Sequence, residues 1–446
     1  MTDAPIKPIT TPTPRRKPKP QIGMLGGRKL KPATLMMGHG FDPVLSEGSL
    51  KAPIFLTSTF AFENAAAGKR HFEGLTGKRP GGAEGLVYSR FNGPNQEILE
   101  DRLSVWDDAE DALVFSSGMS AIATLLLAYC SNNDVIVHSG PLYAATETMI
   151  ARILSRFGIT YLDFPAGATR DEIDAVLEQA KDMAAKQGGR VAMIYLESPA
   201  NPTNALVDIE AVAASRDAVL GAALESGEAM PPNAIDNTFL GPLWQQPLHH
   251  GADIVVYSLT KYVGGHSDLV AGGLSGPKKW MDPVRALRNT IGTICDPNTA
   301  WMLLRSLETV ELRMNRAGEN AAKVCAYLAQ HPKVDGLGYL GMIHDARQQD
   351  IYDRHCTGAG STFSLFIKGC EAESFAFLDA LQIAKLAVSL GGTETLASHP
   401  AAMTHLSVPD ARKAALGITD NLVRISVGVE DPDDLIADFE QALDAV

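Results

Sequence analysis

Lys261 stands in the run Ile254-Val255-Val256-Tyr257-Ser258-Leu259-Thr260-Lys261-Tyr262-Val263-Gly264-Gly265-His266, just past an apolar stretch and inside a loop of hydroxyls and glycines. An ordinary lysine is a solvated surface group. At the end of a buried strand its ammonium is partly desolvated and gives up its proton more readily, which suits Schiff-base chemistry. Ser258 and Thr260 add hydroxyls able to donate to a phosphate. Upstream, Phe115-Ser116-Ser117-Gly118-Met119-Ser120 joins an apolar run to the helical pattern starting at Ala121. A strand, a Gly/Ser turn and a helix N-terminus together form an anion site, since free amides and the helix dipole both favour negative charge. The other reading of that segment is a plain turn with serine caps.

Three further residues join the list. Tyr143 follows the apolar run Val135 to His138 and is read either as a ring stacking on an aromatic cofactor or as a core residue. In Asn233-Ala234-Ile235-Asp236-Asn237-Thr238 an apolar run ends on a carboxylate. It suits pairing with a protonated ring nitrogen, and the competing role is a turn or helix cap. Arg424 lies within the apolar strand pattern Val423-Arg424-Ile425-Ser426-Val427, where an unmatched charge is costly, so a bound anion or an ion pair is expected there.

The elements that must position these groups are apolar runs alternating with amphipathic helical stretches from Glu84 onward: Ala112 to Phe115, Val135 to His138, Val191 to Leu196, Ala234 to Asp236 and Ile254 to Tyr257. Continuous apolar strands alternating with helices predict an α/β fold with a mostly parallel sheet covered on both faces. In such sheets ligands sit at the carboxyl ends of the strands, where Lys261, Asp236, Tyr143 and Gly118 all fall. A long helical pattern from Pro297 to Gln330 precedes a change of texture. Strands near Ser361 to Ile367 and Leu422 to Val427, with helices between and after them, predict a smaller α+β C-terminal domain. Residues Met1 to Pro32 are rich in proline and basic side chains, which predicts a flexible tail.

Bulk properties remove several function classes. The chain has 446 residues, room for two to three domains at roughly 150 residues each. A net charge of -13 disfavours sequence-independent binding to nucleic acid. The most apolar stretch, Ala121 to Cys130, is far short of the roughly 20 residues that span a bilayer, and no secretory signal pattern is seen, so no membrane role and a cytoplasmic location are expected. The five cysteines, Cys130, Cys295, Cys325, Cys356 and Cys370, are odd in number and lack CxxC spacing. They are expected to be reduced, buried thiols, with no metal site.

Together these elements resemble the transsulfuration (Cys/Met metabolism) family of enzymes dependent on pyridoxal 5'-phosphate (PLP), over about Leu35 to the C-terminus. The most specific match is to the pattern S-x-T-K-Y-x-x-G-H-x-D, met here by Ser258, Thr260, Lys261, Tyr262, Gly265, His266 and Asp268. The resemblance implies PLP transferase fold type I with a seven-stranded-type, mostly parallel sheet. It implies an arm over 33–85 that serves an oligomer and the neighbouring active site, a PLP-binding domain over 86–295 and a C-terminal domain over 296–446. It implies that Lys261 is the Schiff-base lysine and proton shuttle, Asp236 the partner of the pyridine nitrogen, and Tyr143 the stacking ring and an acid or base. Gly118, Met119, Ser258 and Thr260 would hold the phosphate. Tyr88-Ser89-Arg90 is similar to a Y-x-R segment that reaches a neighbouring subunit's phosphate, with Tyr88 also near substrate. Arg424 and Ser389 would bind the substrate carboxylate.

The implied function is γ-elimination from methionine or a related thioether, with small amino acids as substrates and a homotetramer built as a dimer of dimers. γ-Replacement on an O-acylhomoserine is the alternative. An aminotransferase of the same fold or a non-catalytic homologue lies further off, and the presence of Lys261 argues against the latter. Two departures bear on the choice. Ala144 stands where many members carry glycine after the tyrosine, and Ala145 where methionine γ-lyases usually carry cysteine. The stretch from Ser389 through Glu394, Thr395, Leu396, His399, Pro400 and Met403 to His405 is closer to the γ-lyase and sulfhydrylase branches. Arg79 to Glu84 and Ser226 to Pro232 read as insertions.

Overall fold

A computed structural model describes residues 23–80, 85–221, 229–406 and 408–446. Its centre is a seven-stranded sheet made of β1 (Asp111–Phe115), β2 (Val135–Gly140), β3 (Thr160–Pro165), β4 (Val191–Glu197), β5 (Asn233–Asp236), β6 (Ile254–Ser258) and β7 (Gly272–Gly276). The spatial order is β1-β7-β6-β5-β4-β2-β3. All neighbours are parallel except β7, which runs antiparallel to both β1 and β6.

The continuous apolar runs are explained by burial on both sides. Alternate residues of a strand point to opposite faces. Leu113, Phe115, Ile254 and Val256 pack with Ile122 and Leu125 of α2 (Gly118–Tyr129) on one face. Ala112, Val114, Val255 and Tyr257 pack with Leu99 and Leu103 of α1 (Pro94–Trp106) on the other. On that side too, Ala300, Leu303 and Leu307 of α3 (Pro297–Leu307) join the same core.

Two strands escape the sequence pattern. β3 is a half-exposed edge strand. β7 is Gly-Gly-Leu-Ser-Gly, a poor strand former by composition. Its glycines are required by crowding: a Cβ on Gly272 would lie 2.2 Å from the Ser117 carbonyl oxygen, and one on Gly276 would lie 2.5 Å from that of Asp253.

The long helical pattern from Pro297 to Gln330 is two helices, α3 and α4 (Val310–Leu328), separated at Glu308 and Thr309. The start of α4 packs into the large-sheet core through Val310 and Met314, and its later turns pack into a second core through Val324 and Leu328. That second core lies on a five-stranded sheet of β8 (Val334–Gly338), β9 (Thr362–Ile367), β10 (Lys385–Leu386), β11 (Leu396–Ser398) and β12 (Leu422–Ser426), in the order β8-β9-β12-β11-β10. Val423 and Ile425 of β12 enter this core, so the alternation turns Arg424 to the opposite face.

Two expectations change. Residues 1–22 of the tail lie outside the described residues, but its last part is ordered. Met24–Leu25 and Arg28–Lys29 pair as a hairpin around Gly26 and Gly27, both at positive φ, as a tight hairpin turn requires. The cysteines divide: Cys130, Cys295 and Cys325 are buried, Cys356 is half-buried, and Cys370 is exposed beside the Glu373 carboxylate. Of the two insertions, residues 81–84 of the first and 226–228 of the second lie outside the described residues.

Candidate active site

The carboxyl ends of β1, β2, β4, β5 and β6 meet at one edge of the large sheet, where a cavity of about 290 Å³ opens. Gly118, Met119, Tyr143, Asp236, Ser258, Thr260, Lys261 and Arg424 all line it. Eight of the eleven residues singled out from sequence therefore converge on one place.

Lys261 sits in the turn directly after β6, its backbone amide donating to the Ser258 carbonyl at 3.1 Å. Its Nζ donates to Ser389 Oγ at 2.8 Å, which brings Ser389 of the small-sheet half to the site although it does not line the cavity. Burial first, and then the Arg424 guanidinium, lowers the Lys261 ammonium to about 8. The loop is pinned from behind by Arg313 of α4, which donates to the carbonyls of Tyr262 at 2.8 Å and Val263 at 3.2 Å.

Asp236 ends β5 and is 8% exposed. Its Oδ1 accepts the Thr238 amide at 3.1 Å and its Oδ2 accepts the Tyr195 hydroxyl at 3.3 Å. Burial raises its carboxyl above the usual range, and the bonds from Thr238 and Tyr195 oppose that rise.

The Gly/Ser turn after β1 starts α2 with a reciprocal cap. Ser120 N donates to Ser117 Oγ and Ser117 N donates to Ser120 Oγ, each at 2.9 Å. That leaves the first-turn amides of Gly118 and Met119 without intrahelical acceptors. Gly118 has little room for a side chain, because a Cβ would stand 3.1 Å from the Ser258 Cβ. Among the described residues the Ser258 hydroxyl makes no protein hydrogen bond, whereas Thr260 Oγ1 donates to the Ala271 carbonyl and accepts its amide, both at 3.1 Å. Ser258 is thus the hydroxyl free to meet an anion.

Arg424 is 4% exposed. Its Nη2 donates to the Ser389 carbonyl at 2.9 Å and its Nη1 to Asn201 Oδ1 at 3.2 Å, and no carboxylate among the described residues pairs with it. Burial lowers the guanidinium to about 10. A buried cation without a counter-ion, one cavity width from a lysine and a helix N-terminus, calls for an anionic ligand.

Tyr88 and Arg90 do not line this cavity. Tyr88 bridges to Thr59 of the arm, and the Arg90 guanidinium lies 4.7 Å from the Phe91 ring centre and donates to the Asn289 carbonyl. Sequence reasoning missed Glu197 and Asn201, which both line the cavity. The signal for Glu197 was present: like Asp236, it is the first charged residue after an apolar run, Val191 to Leu196.

One His/Glu group elsewhere has ligand-like spacing: Glu210, His250 and His355. Its centre is taken by Arg354, whose Nη1 lies 2.6 Å from Glu210 and 3.1 Å from His355 Nε2, so it is an ion-pair network.

A mostly parallel sheet with a desolvated lysine, an anion cradle and a buried carboxylate at its carboxyl edge defines a PLP-dependent enzyme of fold type I. The residues fit that cofactor by their free phosphate donors, Ser258 and the α2 amides, and by Asp236 in its buried position. The chain belongs to the Cys/Met metabolism PLP-dependent enzyme family, whose pattern it matches over residues 33–444. It is 37% identical over 407 residues to an L-methionine gamma-lyase of Fusobacterium nucleatum subsp. polymorphum, covering 90% of this chain and 94% of that protein. It is 33% identical over 420 residues to the cystathionine gamma-lyase of Bacillus subtilis (strain 168), covering 94% of this chain and all of the relative. The crystal structure of cystathionine gamma-lyase from Lactobacillus plantarum complexed with L-serine superposes with a TM-score of 0.81 at 30% identity, over 94% of this chain and 99% of that one.

Proposed function

We propose that this enzyme catalyses γ-elimination on methionine or a related thioether, converting the substrate and one water to a thiol, a 2-oxo acid and ammonium. The observation that carries the reading is the buried, unpaired Arg424 facing Lys261 across the cavity, with Ser389 touching both. Bound PLP supplies an electron sink that makes the α and β protons of the substrate acidic.

The chain's own groups do the rest. Arg424, braced by Asn201, binds the substrate carboxylate through its planar fork. Lys261, with its ammonium lowered to about 8, is neutral often enough near neutral pH to take the α proton at Nζ, and Ser389 Oγ aims that nitrogen. A second proton then leaves the β carbon, and Tyr143 or Lys261 returns a proton to the departing sulfur. Asp236 would hold the ring nitrogen's proton, and Gly118, Met119 and Ser258 would hold the phosphate, with Thr260 lining the same cavity. Val270 and Val388, both exposed at the mouth, offer an apolar surface to an alkyl thioether.

Product analysis tests this. With methionine, 2-oxobutyrate and a volatile thiol should accumulate together. Release of no oxo acid from methionine or cystathionine, with thioether formation from O-acetylhomoserine and a thiol, would establish γ-replacement instead.

The finer organisation follows the same reading. The arm leaves Leu45, Leu50 and Leu56 exposed, at 61%, 80% and 79%, an apolar strip suited to a second copy of the chain. In a dimer of dimers, Tyr88 and Arg90 would complete the neighbour's phosphate site. We place the enzyme in the cytoplasm, where its small amino-acid substrates are metabolised. Among the described residues no helix is long and apolar enough to cross a membrane.

A further inference from the structure

Glu197 is the last residue of β4, 5% exposed, and no cation among the described residues forms an ion pair with it. A buried carboxyl of this kind is expensive unless hydrogen bonds satisfy it. Both of its oxygens are taken by backbone amides of two different loops. Oε2 accepts the Tyr143 amide from the turn after β2 at 2.6 Å, and Oε1 accepts the Asn201 amide from the turn after β4 at 3.0 Å. Its own amide is held by Ser139 Oγ at 3.0 Å. Asn201 in turn presents Oδ1 to Arg424 Nη1 at 3.2 Å. The β4/β5 register sets Glu197 directly opposite Asp236. One carboxyl therefore ties the aromatic loop, the arginine brace and the strand that carries Asp236.

We propose that Glu197 is a positioning residue of this site, whose single carboxyl sets where the Tyr143 ring and the Asn201–Arg424 arm stand relative to Asp236. The inference rests on the reading above only in giving Tyr143 and Arg424 their roles. Its electrostatics agree with it. Burial, and then the neighbouring Asp236, holds the Glu197 carboxyl well above the usual range, while Asp236 keeps stabilising bonds from Thr238 and Tyr195. Of the two buried carboxyls, Glu197 is the one pushed further toward its neutral form.

The test uses the PLP-loaded enzyme and the variants Glu197→Ala and Glu197→Gln. Alanine frees both loops. Glutamine keeps one acceptor oxygen and turns N–H groups against the other amide, so it holds one loop. In Glu197→Ala the visible circular dichroism of the resting cofactor should fall by half or more, KM for methionine should rise at least tenfold, and kcat should drop. In Glu197→Gln one of these readouts should move well ahead of the other, according to which amide is kept. A lowered melting temperature with native cofactor dichroism and a KM within twofold would overturn the proposal, because it would leave Glu197 only a structural part. The dichroism needs no substrate. Its loss in a protein whose wild type does not cleave thioethers would sink the elimination reading and leave the role of Glu197 standing.

Discussion

Arg288 and Arg424 are both sealed inside the protein, at 0% and 4% exposure, and the surroundings treat them in opposite ways. Arg288, under β1, donates through Nη1 to Glu100 Oε1 at 2.5 Å and to the Val114 carbonyl at 2.9 Å, and through Nη2 to the Phe91 carbonyl at 3.3 Å. Its charge is cancelled on the spot. Arg424 has only neutral partners, Ser389 and Asn201, and so retains the cost of a buried unpaired cation. The first arrangement locks a structure. The second leaves a charge unmet, as the proposed binding of a substrate carboxylate requires.

Four substitutions or conditions break or sharpen this contrast. The largest effect belongs to Lys261, which lies on the unmatched side. Lys261→Ala should lower turnover by ~10³-fold or more and remove the visible cofactor band, with a melting temperature of the cofactor-free protein close to wild type. Full activity in that variant would overturn the assignment of the site. Arg288→Ala should do the reverse. The variant strips Glu100 of its closer ion pair and leaves it Arg285 at 3.6 Å, a loss of up to about 3–5 kcal/mol. Denaturant unfolding should show that loss, and KM of the surviving folded enzyme should stay near normal.

Arg424→Ala should raise KM for methionine by roughly 10- to 100-fold, the worth of a charge-assisted bond of about 1.5–3 kcal/mol. Stability should be unchanged or improved, because a buried charge without a counter-ion is removed. A stability loss matching that of Arg288→Ala would erase the distinction between the two arginines. The smallest effect is one of pH. Folding holds the Lys261 ammonium at about 8 against the ordinary 10.5, so the unfolded chain binds more protons between those values and stability should rise with pH across that window. In cofactor-free protein the gain should be about 1–3 kcal/mol. A Lys261→Met variant, melted at pH 8 and pH 10, should lack that part of the rise.

Much of the site was legible because its parts are covalent neighbours of their strands. An apolar run that stops at Ser258, Asp236 or Phe115 and passes into a polar turn announces both a buried strand and the group presented at its end. This local pattern placed Lys261, Asp236, Tyr143 and the Gly118 turn at strand ends but left Tyr143 open as a core residue, Asp236 as a cap and the Gly118 turn as a plain turn. Arg424 was legible for the same reason, as a charge within an apolar strand. The motif around Lys261 then added the cofactor and the family, because short-range spacing records the chemistry of one loop.

Tertiary structure decided what depends on neighbours distant in the chain. β7 is a strand because Gly272 and Gly276 alone fit against Ser117 and Asp253, a crowding that no propensity of Gly-Gly-Leu-Ser-Gly expresses. Glu197 gains its meaning from a register that sets it beside Asp236 and beneath the Tyr143 amide. Tyr88 and Arg90 carry a family-like motif, yet folding leaves them outside this chain's cavity, against Thr59 and Asn289. Sequence by itself determined which polar groups stand at which strand ends, since this follows from local polarity. Only the folded chain decided which charges are cancelled and which are left open, because pairing is set by strand register and packing between residues up to 257 positions apart.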